Sequence, residues 1–272
     1  MQTRKGQSIE NESMEIIDRE IGSHPYSDME WPIVRRIIHA TADFDFAGKN
    51  KIVFHDDAIT SGINALKNGC SIITDVNGVI GGLNKQNPKD FGNNIICNIS
   101  DPDLAEKAKQ EDKTRAQMSM RIAASDMNDG VVVIGNAPTA LLEVIKMIQE
   151  KVTKPALIIG IPVGFVSAVE SKEELQKIDA PFITNIGRKG GSSCAASIVN
   201  ALFKLLRENE QMVGKKVASI CIIIIGIIVA IPFNYMYGID GIEVDIVWTI
   251  VGIVMTASGF YLLKNSAKLK PI

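Results

Sequence analysis

From Val217 to Ile239 the chain carries no charged side chain: VASICIIIIGIIVAIPFNYMYGI is a run of 23 residues, and it restricts the folds open to the protein more than any other stretch. A hydrocarbon core is crossed by about 20 apolar residues in helical form. A second uncharged run, Ile246 to Leu263, has 18 residues, the lower limit for a span. Lys215 and Lys216 precede the first run, and Lys264, Lys268 and Lys270 follow the second. The connector holds only Asp240, Glu243 and Asp245, so the positive-inside rule puts both ends on the cytoplasmic side. The expectation is a C-terminal two-helix transmembrane hairpin with spans at about 217–239 and 246–263, in which Pro232 is a tolerated kink. The competing reading is a pair of buried core helices. With no ionisable residue in either run, an anchor or partner-binding element is expected rather than an ion path.

The preceding residues are expected to form one α/β domain, 1–212, with the hairpin occupying 213–272. The residues from 215 onward contain five of the 29 Lys and Arg and three of the 31 Asp and Glu, leaving 24 against 28 and a net charge near −4 on the rest. No overall field favours nucleic acid, and an anionic ligand must meet a local cluster of cations. The four cysteines, Cys70, Cys97, Cys194 and Cys221, show no metal-ligand spacing and no disulfide framework. The polar N-terminus, MQTRKGQSIENESMEIIDREIG, lacks an apolar signal core. The expected location is therefore a cytoplasmic domain anchored to the cytoplasmic membrane.

Short β-branched runs lead into glycine-containing turns and then into helical patterns, the signature of βαβ units. KIVFHDDA precedes ITSGINALKNG, CSIITDV precedes NGVIGGLN, and GVVVIG runs through NAP into a helix that begins near Pro138. KPALIIGIPVGF and APFITNIGRKGGSS repeat the plan, and the last helix carries apolar residues at 195, 198, 199, 202, 205 and 206. Near-continuous apolar strands belong to a sheet covered on both faces. A three-layer, doubly wound, mainly parallel α/β domain is expected, with its ligand site beyond the carboxyl ends of the strands, at GNAPTA, GIPVGF and NIGRKGGSS.

The glycine-rich loops match neither dinucleotide nor P-loop patterns, which disfavours a nucleotide-binding regulator. Their glycines suit tight turns, and their helix-start amides suit an anion. The cations nearest these loops are Arg35, Arg36, Arg115, Arg121, Arg188 and Lys189. Adjacent arginines on a helix diverge by about 100°, so one of Arg35 and Arg36 is expected in solvent. Ser192 and Ser193 read equally as helix N-caps or ligand contacts. His39, at the end of the apolar stretch PIVRRIIHATADF, reads on its own more readily as a structural imidazole than as a proton donor.

WPIVRRIIHATADFDFA, TRAQMSMRIAA, VVVIGNAPTALLEV, LIIGIPVGFVSAVESKEEL and FITNIGRKGGSSCAASIVNALF together resemble the precorrin-8X methylmutase family, which includes the cobalt-precorrin-8 methylmutases of corrin biosynthesis. The resemblance runs from about residue 9 to 207 and leaves out the hairpin. It implies a flavodoxin-like fold, a homodimer, and transfer of a methyl group from ring carbon 11 to ring carbon 12 of a tetrapyrrole, giving hydrogenobyrinate or cobyrinate. It also implies that His39 matches the family's active-site histidine.

A 1,5-sigmatropic shift requires no nucleophile, redox cofactor or protein metal, so none is expected. Positioning and electrostatics carry the catalysis. On this reading His39 gives or shares a proton with the macrocycle, and Asp43 orients it or caps a helix. The carboxylate arms of the ring call for Arg115, Arg121 and Arg188, with Arg35, Arg36 and Lys189 as further cations. Asn136 and Thr139 in GNAPTA, and Gly190, Gly191 and Ser192 in RKGGSS, supply amides and hydroxyls. The alternative is a nonenzymatic tetrapyrrole carrier docked at the membrane.

Overall fold

The computed structural model describes residues 3–230 and 242–267, which fall in two compact units, Met1–Lys204 and Leu205–Ile272. The first unit opens with α1 (Arg4–Ile21) and α2 (Trp31–Thr41). Then follow β1 (Ile52–Phe54), α3 (Ala58–Lys67), β2 (Ile72–Thr74), α4 (Asn77–Gly82), α5 (Gln86–Phe91) and β3 (Ile95–Ile96). The chain continues through α6 (Leu104–Gln110), α7 (Arg115–Ile122), β4 (Val131–Ile134), α8 (Pro138–Gln149), β5 (Leu157–Gly160), α9 (Ala168–Leu175) and β6 (Phe182–Asn185). Helix α10 (Ser192–Ala230) starts in the first unit and continues in the second, which also holds α11 (Ile242–Ala267).

The six strands lie in the order β1-β6-β5-β4-β2-β3. Five are parallel, and β1 pairs antiparallel to β6 with Ile52 opposite Asn185. The mainly parallel sheet is as expected. The antiparallel edge has a local consequence: β1 begins at the rim where β6 ends, so the segment joining α2 to β1 is delivered to that rim. The strand order reverses between β2 and β4, and a crevice at such a switch point is where doubly wound sheets bind ligands.

Side chains alternate across the sheet into two cores. Ile73, Val132, Ile134, Ile158 and Phe182 pack with Met120, Leu141, Val144 and Leu175 of α7, α8 and α9. On the other face Leu157 lies so close to Gly62 of α3 that a Cβ there would fall 2.6 Å from Leu157 Cδ2 and 3.4 Å from Leu202 Cδ1 of α10. Both faces are covered, which is why Val131–Ile134 is fully buried and reads as an unbroken apolar run. In the same unit Ala195, Ile198, Val199 and Leu202 are buried, as the apolar stripe of that helix predicts.

In the second unit the far half of α10 packs against α11 through small residues. A Cβ on Gly226 would fall 2.6 Å from Thr256 N, and one on Gly259 would fall 3.0 Å from Ile223 N. These pairings run in opposite directions along the two helices. Bulky residues point the other way: Ile224, Ile227, Ile228, Ile253, Val254 and Phe260 are all exposed. Among the described residues one helix, over Ser192–Val229, is long and apolar enough to cross a membrane. Residues 231–241, the end of the first expected span and the start of the connector, lie outside the described residues, and the rest of the expected connector, 242–245, is helical.

Candidate active site

The rim at the ends of β2, β4, β5 and β6 is organised by one carboxylate. Asp75, the residue after β2, is fully buried and spans the crevice to β4. Its Oδ1 accepts Gly135 N–H at 3.0 Å, and its Oδ2 accepts Asn136 N–H at 2.8 Å and Ala137 N–H at 2.7 Å. Burial pushes the carboxyl above its ordinary range, and the three N–H groups pull it partly back. The expectation that GNAPTA amides serve an anionic ligand is thereby corrected. Asp75 takes three of them, and Pro138 has none. Asn136 remains exposed, and Thr139 Oγ1 lies 3.1 Å from Thr114 Oγ1.

The loops after β5 and β6 are tied to each other. Gly191 N–H donates to Ile161 O at 3.0 Å, and Gly164 N–H donates to Arg188 O at 3.3 Å. Gly190 has φ +154°, and a Cβ there would fall 2.3 Å from Ile161 O. Only glycine fits at this crossing. The GNAPTA loop abuts the same region, since a Cβ on Gly135 would lie 2.9 Å from Ser192 Cα. Gly191 O accepts the Ala195 N–H, so Gly191 holds the N-cap position of α10 and Ser192 and Ser193 follow it, correcting their reading as caps.

His39 lies in the last turn of α2 and is exposed. The packed stripe of that helix is Ile33, Val34, Ile37 and Ile38, and among the described residues the imidazole has no hydrogen-bond partner. It is therefore not a core imidazole. Asp43 does not bond it. Asp43 Oδ1 caps the short 3-10 turn Phe44–Ala47 by accepting Asp45 N–H at 3.1 Å, and Oδ2 lies 2.7 Å from Lys189 Nζ. Lys189 Nζ also reaches Asp45 Oδ2 at 2.7 Å; the bonds to Asp43 and then Asp45 raise the ammonium, and the bond from Lys189 lowers the Asp45 carboxyl. Of the two roles expected for Asp43, capping is the one made.

The arginines divide. Arg188 is exposed, with its guanidinium carbon 5.6 Å from the Phe165 ring centroid. Phe165 itself is 84% exposed beside Val163 and Val166, an apolar edge at the rim. Arg115, at the start of α7, is exposed and donates to Ile99 O at 2.5 Å. Arg121 lies toward the other end of α7, paired with Glu143 of α8 and with Glu150, the residue that ends α8, so its expected place at the rim is corrected.

Arg35 and Arg36 are both partly buried and ion-paired to α1, at 2.6 Å to Asp18 and 2.8 Å to Glu10. Neither is solvated. Their divergence sends them to carboxylates about two turns apart.

Three rim residues escaped the sequence reading. Asp75 left a signal, a lone charge closing an apolar strand. Lys172 of α9 is 1% exposed and donates to Gly187 O at 3.0 Å and Lys189 O at 2.6 Å, yet in ESKEEL it looks like one more surface charge. Asn185 Nδ2 bonds Ile186 O and Lys189 O, each at 2.9 Å. Burial pushes the nearby Cys194 thiol up to about 11, which keeps it from acting as a thiolate. Among the described residues no three His, Cys, Asp or Glu side chains gather to hold a metal ion.

Fold and rim together define a doubly wound α/β protein with exposed cations and one exposed imidazole beyond the carboxyl ends of its strands. Residues 8–205 match the family described as CbiC, precorrin-8X methylmutase. A cobalt-precorrin-8 methylmutase of Leptospira interrogans is 50% identical over 211 residues, covering 75% of this chain and 95% of that one. One from Priestia megaterium is 50% identical over 200 residues, covering 74% and 88%. The crystal structure of precorrin-8x methyl mutase from Thermus thermophilus superposes with a TM-score of 0.70 at 37% identity, covering 75% of this chain and 98% of that one. The chain belongs to the precorrin-8X methylmutase family.

Proposed function

We propose that the protein is a methylmutase that moves a methyl group from ring carbon 11 to ring carbon 12 of a precorrin-8 macrocycle. Membership of the family supports the reaction. The 50% identity to two relatives named for cobalt-precorrin-8 favours a cobalt-carrying ring, with cobyrinate as product. The observation that carries the site assignment is His39, exposed and without a hydrogen-bond partner among the described residues, four residues before Asp43, which Lys189 ties to the loop bearing Arg188.

The shift rearranges bonds within the ring, so the chain's own tasks are holding and protonation. Phe165 and its neighbours offer an apolar surface to the macrocycle face. Arg188, Arg115 and the first-turn amides of α10 meet carboxylate arms. His39, exposed at the end of α2, gives or shares one proton with the ring. Purified protein is assayed on cobalt-precorrin-8 and on precorrin-8X, with the absorbance change of the rearranged ring as readout. Turnover with preference for the cobalt form is expected. Tight binding without turnover would replace this reading with a carrier.

The second unit acts as a membrane anchor. Its support is the inside-out arrangement of α10 and α11, small residues at the contact and bulky apolar ones exposed, which suits a solvent of lipid tails. Flotation of the full chain with phospholipid vesicles tests it. A homodimer is the assembly the family resemblance implies, and sedimentation of the protein truncated after Met212 tests that.

A further inference from the structure

We infer that Lys172 is a positioning residue for substrate binding, holding from beneath the loop that presents Arg188 and Lys189. The inference rests on the methylmutase reading of the rim. Lys172 is 1% exposed, and among the described residues no carboxylate pairs with it. Its Nζ bonds the carbonyls of Gly187 and Lys189, one on each side of Arg188. The Lys189 carbonyl receives a second donor from Asn185 Nδ2.

Such support matters because this loop is rich in glycine, and it adds to the ties that Arg188 O and Gly191 N–H make with the loop after β5. Gly187, Gly190 and Gly191 have φ values of +83°, +154° and +122°, and glycine populates this half of the map at little cost. With the carbonyls at 187 and 189 fixed, Arg188 is aimed outward over Phe165, and the Lys189 side chain reaches Asp43 and Asp45. Burying an unpaired ammonium is unfavourable, and an apolar side chain of equal length would pack there at less cost. The feature that Lys172 has and such a side chain lacks is its N–H donors. Burial lowers its ammonium to about 8, in keeping with a lysine held for those donors rather than for an ion pair.

The test compares the full chain with Lys172→Met, Arg188→Ala and the double variant, measuring melting temperature, kcat and KM on cobalt-precorrin-8. A positioning role predicts that Lys172→Met folds, raises KM about tenfold and leaves kcat within about threefold. In the Arg188→Ala background the same change should alter KM less than about twofold, because the group it aims is gone. Lys172→Gln, which is shorter and uncharged but keeps an NH2 donor group, should give an intermediate KM and replaces the Met variant if that does not fold. An unchanged KM in a folded variant, or equal effects in both backgrounds, overturns the inference while leaving the methylmutase reading intact. Absence of turnover and of corrinoid binding in the unmutated protein overturns both.

Discussion

Lys189 and Asp43 are 146 residues apart in the chain, and their side chains meet at 2.7 Å. This bridge joins the last loop of the sheet to the segment that follows His39. Both groups are substantially exposed, at 41% and 29% of their side chains, so little stability is expected from it.

The first prediction concerns that bridge. Lys189→Met should leave the melting temperature nearly unchanged and lower kcat/KM about tenfold. Asp43→Asn keeps an oxygen for the Asp45 amide and removes the charge, so its effect should be smaller. The two should be non-additive in a double-mutant cycle on kcat/KM. Strict additivity would mean that the bridge does not couple the two segments.

For His39→Ala the expected outcome is a folded protein with kcat lowered by about 10² to 10⁴, the range of a general acid or base, and KM within about threefold. Circular dichroism should be unaltered, because the imidazole is exposed and takes no part in the packed stripe. Normal turnover by this variant would remove the proton-transfer role.

Asp75→Asn tests the carboxylate in the crevice. Oδ2 accepts two N–H groups, and an amide nitrogen in its place would face two donors; the alternative flip confronts Gly135. With hydrogen bonds to a charged group lost and buried donors stranded, the cost is about 3 kcal/mol. For a domain of this size that is a fall in Tm of roughly 6 to 12 °C, measured by calorimetry on the truncated chain.

Lys172 also predicts a pH dependence of stability. Its ammonium falls from an ordinary 10.5 to about 8 in the folded chain, so between those values the unfolded chain binds more protons and stability rises with pH. The burden of burying the charge is full below pH 8 and lifts toward pH 10.5, to the extent of roughly 3 kcal/mol. The unfolding free energy of the unmutated protein minus that of Lys172→Met should therefore increase from pH 7.5 to pH 10. A flat difference would mean that the lysine titrates normally.

Truncation after Met212 should yield a monodisperse protein without detergent that retains the kcat of the full chain. Loss of activity in a folded truncation would assign the second unit a part in the reaction.

What could be read from residue order follows physical lines. The buried strands and the helices after them were legible because a sheet covered on both faces demands unbroken apolar runs, as in Val131–Ile134. The loops GNAPTA, GIPVGF and NIGRKGGSS were legible as strand-end turns because glycine and proline interrupt the apolar runs there. Helix α1 was not, since only Met14 and Ile17 are buried among its charges, and so the partners of Arg35 and Arg36 stayed hidden. Arg121 misled for a similar reason. A guanidinium beside a loop in sequence can point along its helix to Glu143 instead. Lys172 gives no periodic signal, because one buried cation among surface charges is distinguished only by what lies above it.

No atom larger than hydrogen fits at position 190 without meeting the Ile161 carbonyl. Any larger residue there would push apart the two loops that cross at this point. Variation that spares this crossing falls to the side chains mounted at 188 and 189, which project from it without disturbing the frame beneath them.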